Sequence, residues 1–345
     1  MYVIRPMVDL RAAHAFYNEH REMSAASEDA RPPLTLMPVP TDTVSRWFSG
    51  DDRVTLGAYE GDRLVGLASG VVASARGVGF LSYLCVDSAH RRAGVATRLS
   101  DELEARLLSA PSVGKLEAVF HNPVHLPWYI PNASGDYHPC LPGVDMDSAL
   151  HLFLRHRGWQ DYARQNAYYR RMSDYEDRPD MADALAALRA EGIDLTLYDP
   201  ARHYGLDELF DNICNPGWKA QVMAHTDRPI VVAVDKAVPD VSGRALVVGY
   251  TGPLSVDRTA EGLDTGSGRG NFCGIGTRTD YRGRGIGKQV FCAMCRAHRQ
   301  SGADFMSLYT GESNPARYIY ESAGFRIVRS FADMRKGGDD TMPSH

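Results

Sequence analysis

The sequence predicts an α/β protein made of two tandem copies of one domain, and three observations carry that expectation. The chain has 345 residues, enough for about two domains that each bury a core. Residues 272–277 read as an apolar strand, 282–287 as a glycine-alternating loop and 288–296 as a helix. On that helix Val290, Phe291, Met294 and Cys295 recur at helical spacing, so one face can be buried. The same plan stands earlier in the chain: an apolar run over 80–87, a loop over 91–96, and a helix over 97–108 with Leu99, Leu103 and Leu107 on one side. A repeat of about half the chain length means two copies of one domain, not a solenoid.

Taken in order, residues 2–7 read as a strand and 9–17 as a helix with Asp9 as N-cap. Residues 24–40, rich in Ser, Ala and Pro, read as a loop, and Thr41 or Thr43 as the cap of a short helix through Trp47. Residues 55–59 and 64–72 flank Glu60-Gly61-Asp62-Arg63, a hairpin signal. After the first loop and helix, 116–120 reads as a strand, followed by an insertion over 123–147 and a last strand over 166–171. The polar, Pro-broken stretch 173–179 places the boundary, giving domains 1–175 and 176–345. In the second, 181–190 is an Ala-rich helix ended by Gly192, and 193–198 a strand. Residues 206–213 and 218–223 are helices, and 229–234 and 245–250 strands. The Gly-rich segment 261–270 reads as a long loop. Residues 305–310 and 325–334 are strands on either side of a helix over 316–323.

Composition excludes several classes. Hydrophobic residues at 44% and charged at 23% describe a globular protein. A net charge of -5 argues against nucleic-acid binding, which needs a basic surface. The N-terminus has no basic and apolar leader, and no run reaches the ~18 apolar residues of a membrane span. Six cysteines are too sparse for a disulfide scaffold, so a cytoplasmic location is expected.

The glycine loops carry the chemistry. A strand, a glycine loop and a helix N-terminus in that order make a phosphate cradle, because the first-turn N–H groups have no helical partner and the macrodipole adds positive charge. Gly283, Gly285 and Gly287 let the backbone approach an anion, and Arg282, Arg284 and Lys288 add charge. A P-loop would need Ser or Thr after Gly287-Lys288, where Gln289 stands, and a dinucleotide fingerprint needs Gly-x-Gly-x-x-Gly, not Gly-x-Gly-x-Gly.

The pattern that fits, Arg-x-x-Gly-x-Gly over 282–287 directly after an apolar strand, resembles the coenzyme A pyrophosphate loop of the GNAT superfamily of N-acetyltransferases. Arg91 to Ala96 is its Arg-x-x-Gly-x-Ala variant. Downstream, Asn314, Ala316, Tyr320, Gly324 and Phe325 resemble that family's Asn, Ala, Tyr and Gly-Phe segment. The resemblance implies two tandem GNAT domains, each a mixed, mostly antiparallel twisted sheet flanked by helices, with acetyl-coenzyme A as acyl donor and no metal. It implies that the backbone of Ile275, Gly276 and Thr277 binds the pantetheine arm and that Arg282, Gly283, Arg284, Gly285, Ile286, Gly287 and Lys288 hold the pyrophosphate, with Asn314 beside them. Tyr320 takes the place of the general acid that protonates the departing thiolate. In the first copy the matching donor residues are Leu84, Val86, Arg91, Arg92, Gly94 and Ala96, but Leu154 stands where Tyr320 does and donates no proton, so that copy is expected to be non-catalytic. The base stays open between Glu312, Tyr309 and a water chain.

Family position makes Trp218, Glu208, Asp211 and His225 acceptor-side candidates; a solvated helix face explains the carboxylates as well. The prolines and aromatics of the insertion, Trp128 among them, read equally as a wall over an acceptor pocket or as a structural loop. His121, His125, His138 and Cys140 suggest zinc, but Pro123 and Pro127 break the helix that His-x-x-x-His needs. The expectation is an acyltransferase acting on a primary amine of a small molecule, with peptide or protein acylation or a non-catalytic acyl-coenzyme A sensor as alternatives. A second copy of the chain is a candidate partner.

Overall fold

The computed structural model describes residues 1–27 and 31–337. The chain opens with β1 (Tyr2–Pro6) and α1 (Leu10–Glu19), which Asp9 caps by accepting from the N–H groups of Arg11 and Ala12. Next comes α2 (Thr41–Phe48), with Pro40 at its N-cap and no side-chain bond. Neither expected threonine caps it, because both lie inside the helix.

Three antiparallel strands follow: β2 (Arg53–Glu60), β3 (Arg63–Ala73) and β4 (Val78–Val86). The hairpin turns at Gly61, whose φ of 59° suits glycine. Helix α3 (Val95–Leu108) lays Val95, Leu99, Leu103 and Leu107 on this sheet, and β5 (Lys115–Ala118) pairs parallel to the first three residues of β4.

The insertion is ordered. It holds the small hairpin of β6 (Trp128–Tyr129) and β7 (Tyr137–His138), then β8 (Val144–Asp145). Helix α4 (Ala149–His156), capped by Ser148, and β9 (Gln160–Arg171) complete the first half.

The second half begins with α5 (Asp180–Ala190), β10 (Ile193–Leu197), β11 (His203–Tyr204), α6 (Leu206–Asn212) and α7 (Pro216–Met223). Strands β12 (Val231–Pro239), β13 (Ala245–Thr251), β14 (Ser255–Ala260), β15 (Leu263–Asn271) and β16 (Ile275–Thr277) lead to α8 (Ile286–Gln300). Then come β17 (Phe305–Gly311), α9 (Arg317–Ser322) and β18 (Arg326–Lys336).

Two expectations are corrected here. The Gly-rich segment 261–270 is strand β15, which pairs with β14 across a turn at Glu261 and Gly262. Gly270 serves close approach: a Cβ there would lie 2.9 Å from both His298 and Met306. The expected strand over 272–277 is regular only from Ile275, because the chain kinks at Gly274, with φ 67°. Thr251 Oγ1 donates to the Gly274 carbonyl at 3.0 Å and holds the kink in place.

That kink, opposite the break between β13 and β14, divides a long hairpin between two sheets. Its upper part, β14–β15, joins the main sheet; its lower part, β13–β16, joins a second sheet of order β10-β12-β13-β11. The main sheet runs β1-β2-β3-β4-β5-β18-β9-β17-β15-β14, and most of its pairings are antiparallel. The two halves therefore exchange their last strands. β18 lies between β5 and β9, and β9 lies between β18 and β17. Among the described residues no helix is long and apolar enough to cross a membrane.

Candidate active site

The loop that opens α8 has the backbone an anion needs. Gly283 and Gly285 hold φ of 83° and 82°, and a Cβ added to either would meet nothing within 4 Å. These glycines serve conformation and open approach, not packing. Gly285 caps α8 with no side-chain bond, so the first-turn N–H groups stay free for a ligand. Ile286 is buried and anchors the turn, Gly287 lies under Ile319, and Lys288 is exposed. Arg284 sits over the Tyr281 ring and 3.7 Å from Glu191. Arg282 folds back along the strand, its Nε 3.5 Å from the Thr277 carbonyl.

The first half repeats this geometry. Arg92 and Gly94 hold φ of 63° and 78°, and Gly94 caps α3 as Gly285 caps α8. Arg91 Nε donates to the Val86 carbonyl at 3.1 Å, as Arg282 approaches Thr277. Ala96 takes the place of Gly287, and Leu84 and Val86 pair with Ala68 and Gly66 of β3. Both loops fit the phosphates of coenzyme A by this test.

Among the described residues, the strand beside the second loop has one unpaired edge. In the second half Ile275, Gly276 and Thr277 bond to Thr251, Tyr250 and Gly249 on one side only, and β15 leaves β17 after Gly270 and Met306. Trp218 seals the far face of this strand. Its indole would stand 2.6 Å from a Cβ on Gly274, and Tyr250 stands 2.7 Å from one on Gly276.

Tyr320, on α9, is 7% exposed and packs between Phe291, at 5.0 Å between ring centroids, and Tyr168, at 6.0 Å. Burial alone pushes its phenol up to about 12, so it holds its proton at neutral pH. Asn314 shapes the turn before α9, its Oδ1 accepting from the Ala316 N–H at 2.9 Å. Asn122 makes the same turn with Val124 at 3.0 Å and also ties β4, donating to the Leu81 carbonyl and accepting from Ser82 Oγ, both at 2.8 Å. Leu154, at the place of Tyr320 in the first half, is fully buried.

The remaining candidates lie elsewhere. Glu312 turns to Arg164 at 3.0 Å on the surface. Tyr309 alternates to the sheet face opposite Leu308, against Cys140, Phe120 and His138. Burial pushes its phenol up, so it is no base for chemistry at Tyr320. Asp211 accepts from Lys219 Nζ at 2.8 Å, and Glu208 and His225 are exposed. Trp128 does not wall a pocket: it is fully buried, donates to the Cys140 carbonyl and stacks on His138. Of the acceptor candidates, only Trp218 packs on the donor strand.

The donor residues expected in the first half, Leu84, Val86, Arg91, Arg92, Gly94 and Ala96, share one site, to which the fold adds His20, Glu22 and Asp145 without any signal in the sequence. A cavity of about 570 Å³ opens in the first half where β4 leaves β5. Leu81 to Val86, the loop Arg91 to Ala96, Asn122 and Asp145 line it, and its far end reaches His20 and Glu22. Its lining comes from six separate segments, which only the fold brings together.

Residues 11–129 match the acetyltransferase (GNAT) family and residues 230–327 the acetyltransferase (GNAT) domain. No curated protein matches the chain. Among solved structures, the chain is similar to the GCN5-related glucosamine N-acetyltransferase region of a fungal multi-domain GH3 beta-N-acetylglucosaminidase. That match has a TM-score of 0.64 and 16% identity, covering 97% of this chain and 38% of that one. A GCN5-related N-acetyltransferase from Sphaerobacter thermophilus gives 0.59 and 15%, covering 97% and 95%. A tandem GNAT protein from the clavulanic acid biosynthesis pathway gives 0.58 and 15%, covering 99% and 100%. At these identities the likeness is one of fold.

Proposed function

Because the chain belongs to the GNAT acetyltransferase family and carries two copies of its domain, we propose that this acyltransferase moves acetyl from acetyl-coenzyme A to a primary amine of a small molecule, with the chemistry in its second half. The observation that carries the reading is Tyr320. It is a phenol held neutral by burial and packed on Phe291 of α8, the helix that the glycine loop opens, where the first half has Leu154. Acetyl-coenzyme A supplies the acyl group as a thioester. The loop from Arg282 to Lys288 would hold its pyrophosphate through backbone N–H groups and side-chain charge. The free backbone of Ile275 to Thr277 would align its arm and offer an N–H to the carbonyl oxygen. Tyr320 Oη holds the proton that the leaving sulfur takes. Glu312 stays a candidate for moving the amine's proton only if it leaves Arg164.

The first half supports donor binding without this chemistry. Its cavity lies within the usual ~300–1,000 Å³ range of small-molecule sites, and its loop keeps the same backbone. The chain's structural likeness to a glucosamine N-acetyltransferase region makes amino sugars the first acceptors to try.

The test is thiol release from acetyl-coenzyme A across a panel of small amines. Tyr320→Phe is expected to lower kcat by about 10²- to 10⁴-fold, with donor binding and melting temperature near wild type because the ring is kept. A wild-type rate for that variant would remove the second half from the chemistry. Thiol release with no acceptor present would argue for hydrolysis instead.

A further inference from the structure

We infer that Tyr168, which the first half contributes on its exchanged strand, is a positioning residue for the proton donor Tyr320; the inference rests on the reading of Tyr320 above. β9 lies between β17 and β18, and Tyr168 pairs there with Leu308 on one side and Ile327 on the other. Its side chain is fully buried, and its ring meets that of Tyr320 edge-on, at 6.0 Å and 61°. Its Oη donates to Glu321 Oε1 at 2.9 Å, and Glu321 is the next residue after Tyr320 on α9.

Helix α9 needs such support. It has six residues and no side-chain N-cap, so it does not hold its own orientation. Phe291 walls Tyr320 on one side, and Tyr168 supplies a second wall together with a tether. A phenol that must meet a leaving sulfur is sensitive to displacement, since about 1 Å of misplacement costs on the order of 100-fold in rate. Tyr168 makes the chemistry of the second half depend on a side chain from the first.

A double-mutant cycle on the full chain separates positioning from mere packing. Tyr168→Leu removes wall and tether, and Tyr168→Phe removes only the tether; each is made alone and with Tyr320→Phe. With Tyr320 present, Tyr168→Leu is expected to lower kcat by about 30-fold and Tyr168→Phe by about 5-fold, with the KM for acetyl-coenzyme A within about twofold. With Tyr320→Phe present, neither change is expected to lower the residual rate further, because both act through the missing hydroxyl. Equal proportional losses in both backgrounds, or a wild-type kcat for Tyr168→Leu, would overturn the inference while leaving the role of Tyr320 intact. A wild-type rate for Tyr320→Phe alone would instead overturn the reading on which it rests. If Tyr168→Leu does not fold, Tyr168→Phe decides, since it keeps the buried volume: no loss of kcat in that variant counts against the tether.

Discussion

At the scale of single residues, the two loops differ most at one place, where Arg92 holds the positive φ that Gly283 holds in the second half. A left-handed backbone costs a non-glycine residue about 1–2 kcal/mol, and glycine gives back part of that through the unfolded chain's freedom. Arg92→Gly is therefore expected to stabilise the protein by about 0.5–1 kcal/mol, read as a rise in thermal midpoint. Calorimetric titration of acetyl-coenzyme A should show the same change weakening any first-half site, because a cation leaves the loop. A charge retained in a strained conformation points to a ligand more than to stability.

At the scale of elements, β18 pairs with β8 of the insertion and is fixed to it by a buried ion pair. Arg329 and Asp145 are each 1% exposed and meet through two bonds of 2.7 Å. Arg329 also donates to the Pro32 carbonyl, so one guanidinium joins three distant segments. Such a pair adds little net stability over an apolar replacement, but removing one partner strands the other. Arg329→Leu is expected to cost about 3–5 kcal/mol in urea unfolding, whereas replacing Asp145 and Arg329 together by apolar residues should recover most of that loss. Asp145 also lines the first-half cavity, so the single change should alter ligand binding there as well.

At the scale of the whole molecule, the exchanged strands make the halves interdependent. Ala332 and Met334 of β18 complete a core of the first half, while Tyr168 and Met172 belong to a core of the second. Residues 1–175 and 176–345 expressed separately should each lack native near-ultraviolet dichroism, and the intact chain should unfold in one calorimetric transition. Two independent transitions would contradict this coupling.

Acid should weaken the whole fold through two buried histidines. Burial pushes His138 down to about 3 and His298 down to about 4, both below the ordinary 6.5. The unfolded chain then binds more protons than the folded one between those values and 6.5. Their contribution is complete above pH 6.5 and declines as pH falls, by up to about 1.4 kcal/mol per pH unit for each histidine. Thermal midpoints measured from pH 7 to 5 should fall accordingly, and a flat profile would count against it.

Local chemistry made much of this legible in the sequence. Arg282 to Gly287 and Arg91 to Ala96 specify their own backbone, because glycine at a left-handed position and a helix start are properties of neighbouring residues. The Asn314 to Phe325 segment pointed to Tyr320 only through its resemblance to a family segment, and alternating apolar residues located most strands. Segment 261–270 misled because its glycines signal a loop locally, yet Gly270 admits His298 and Met306 from elements about 30–40 residues away. Trp128 stayed open between pocket wall and structural loop, since nothing in its own stretch reveals that Phe331 of β18 will enclose it.

The repeat, the family and the two glycine loops follow from short runs of residues read in order along the chain. The exchange of β9 and β18, the cavity in the half without the tyrosine, and the contact of Tyr168 with Tyr320 arise in the folded molecule. Those features depend on which strand edges meet and which side chains share a core, and that is a choice made by burial across more than a hundred residues of chain.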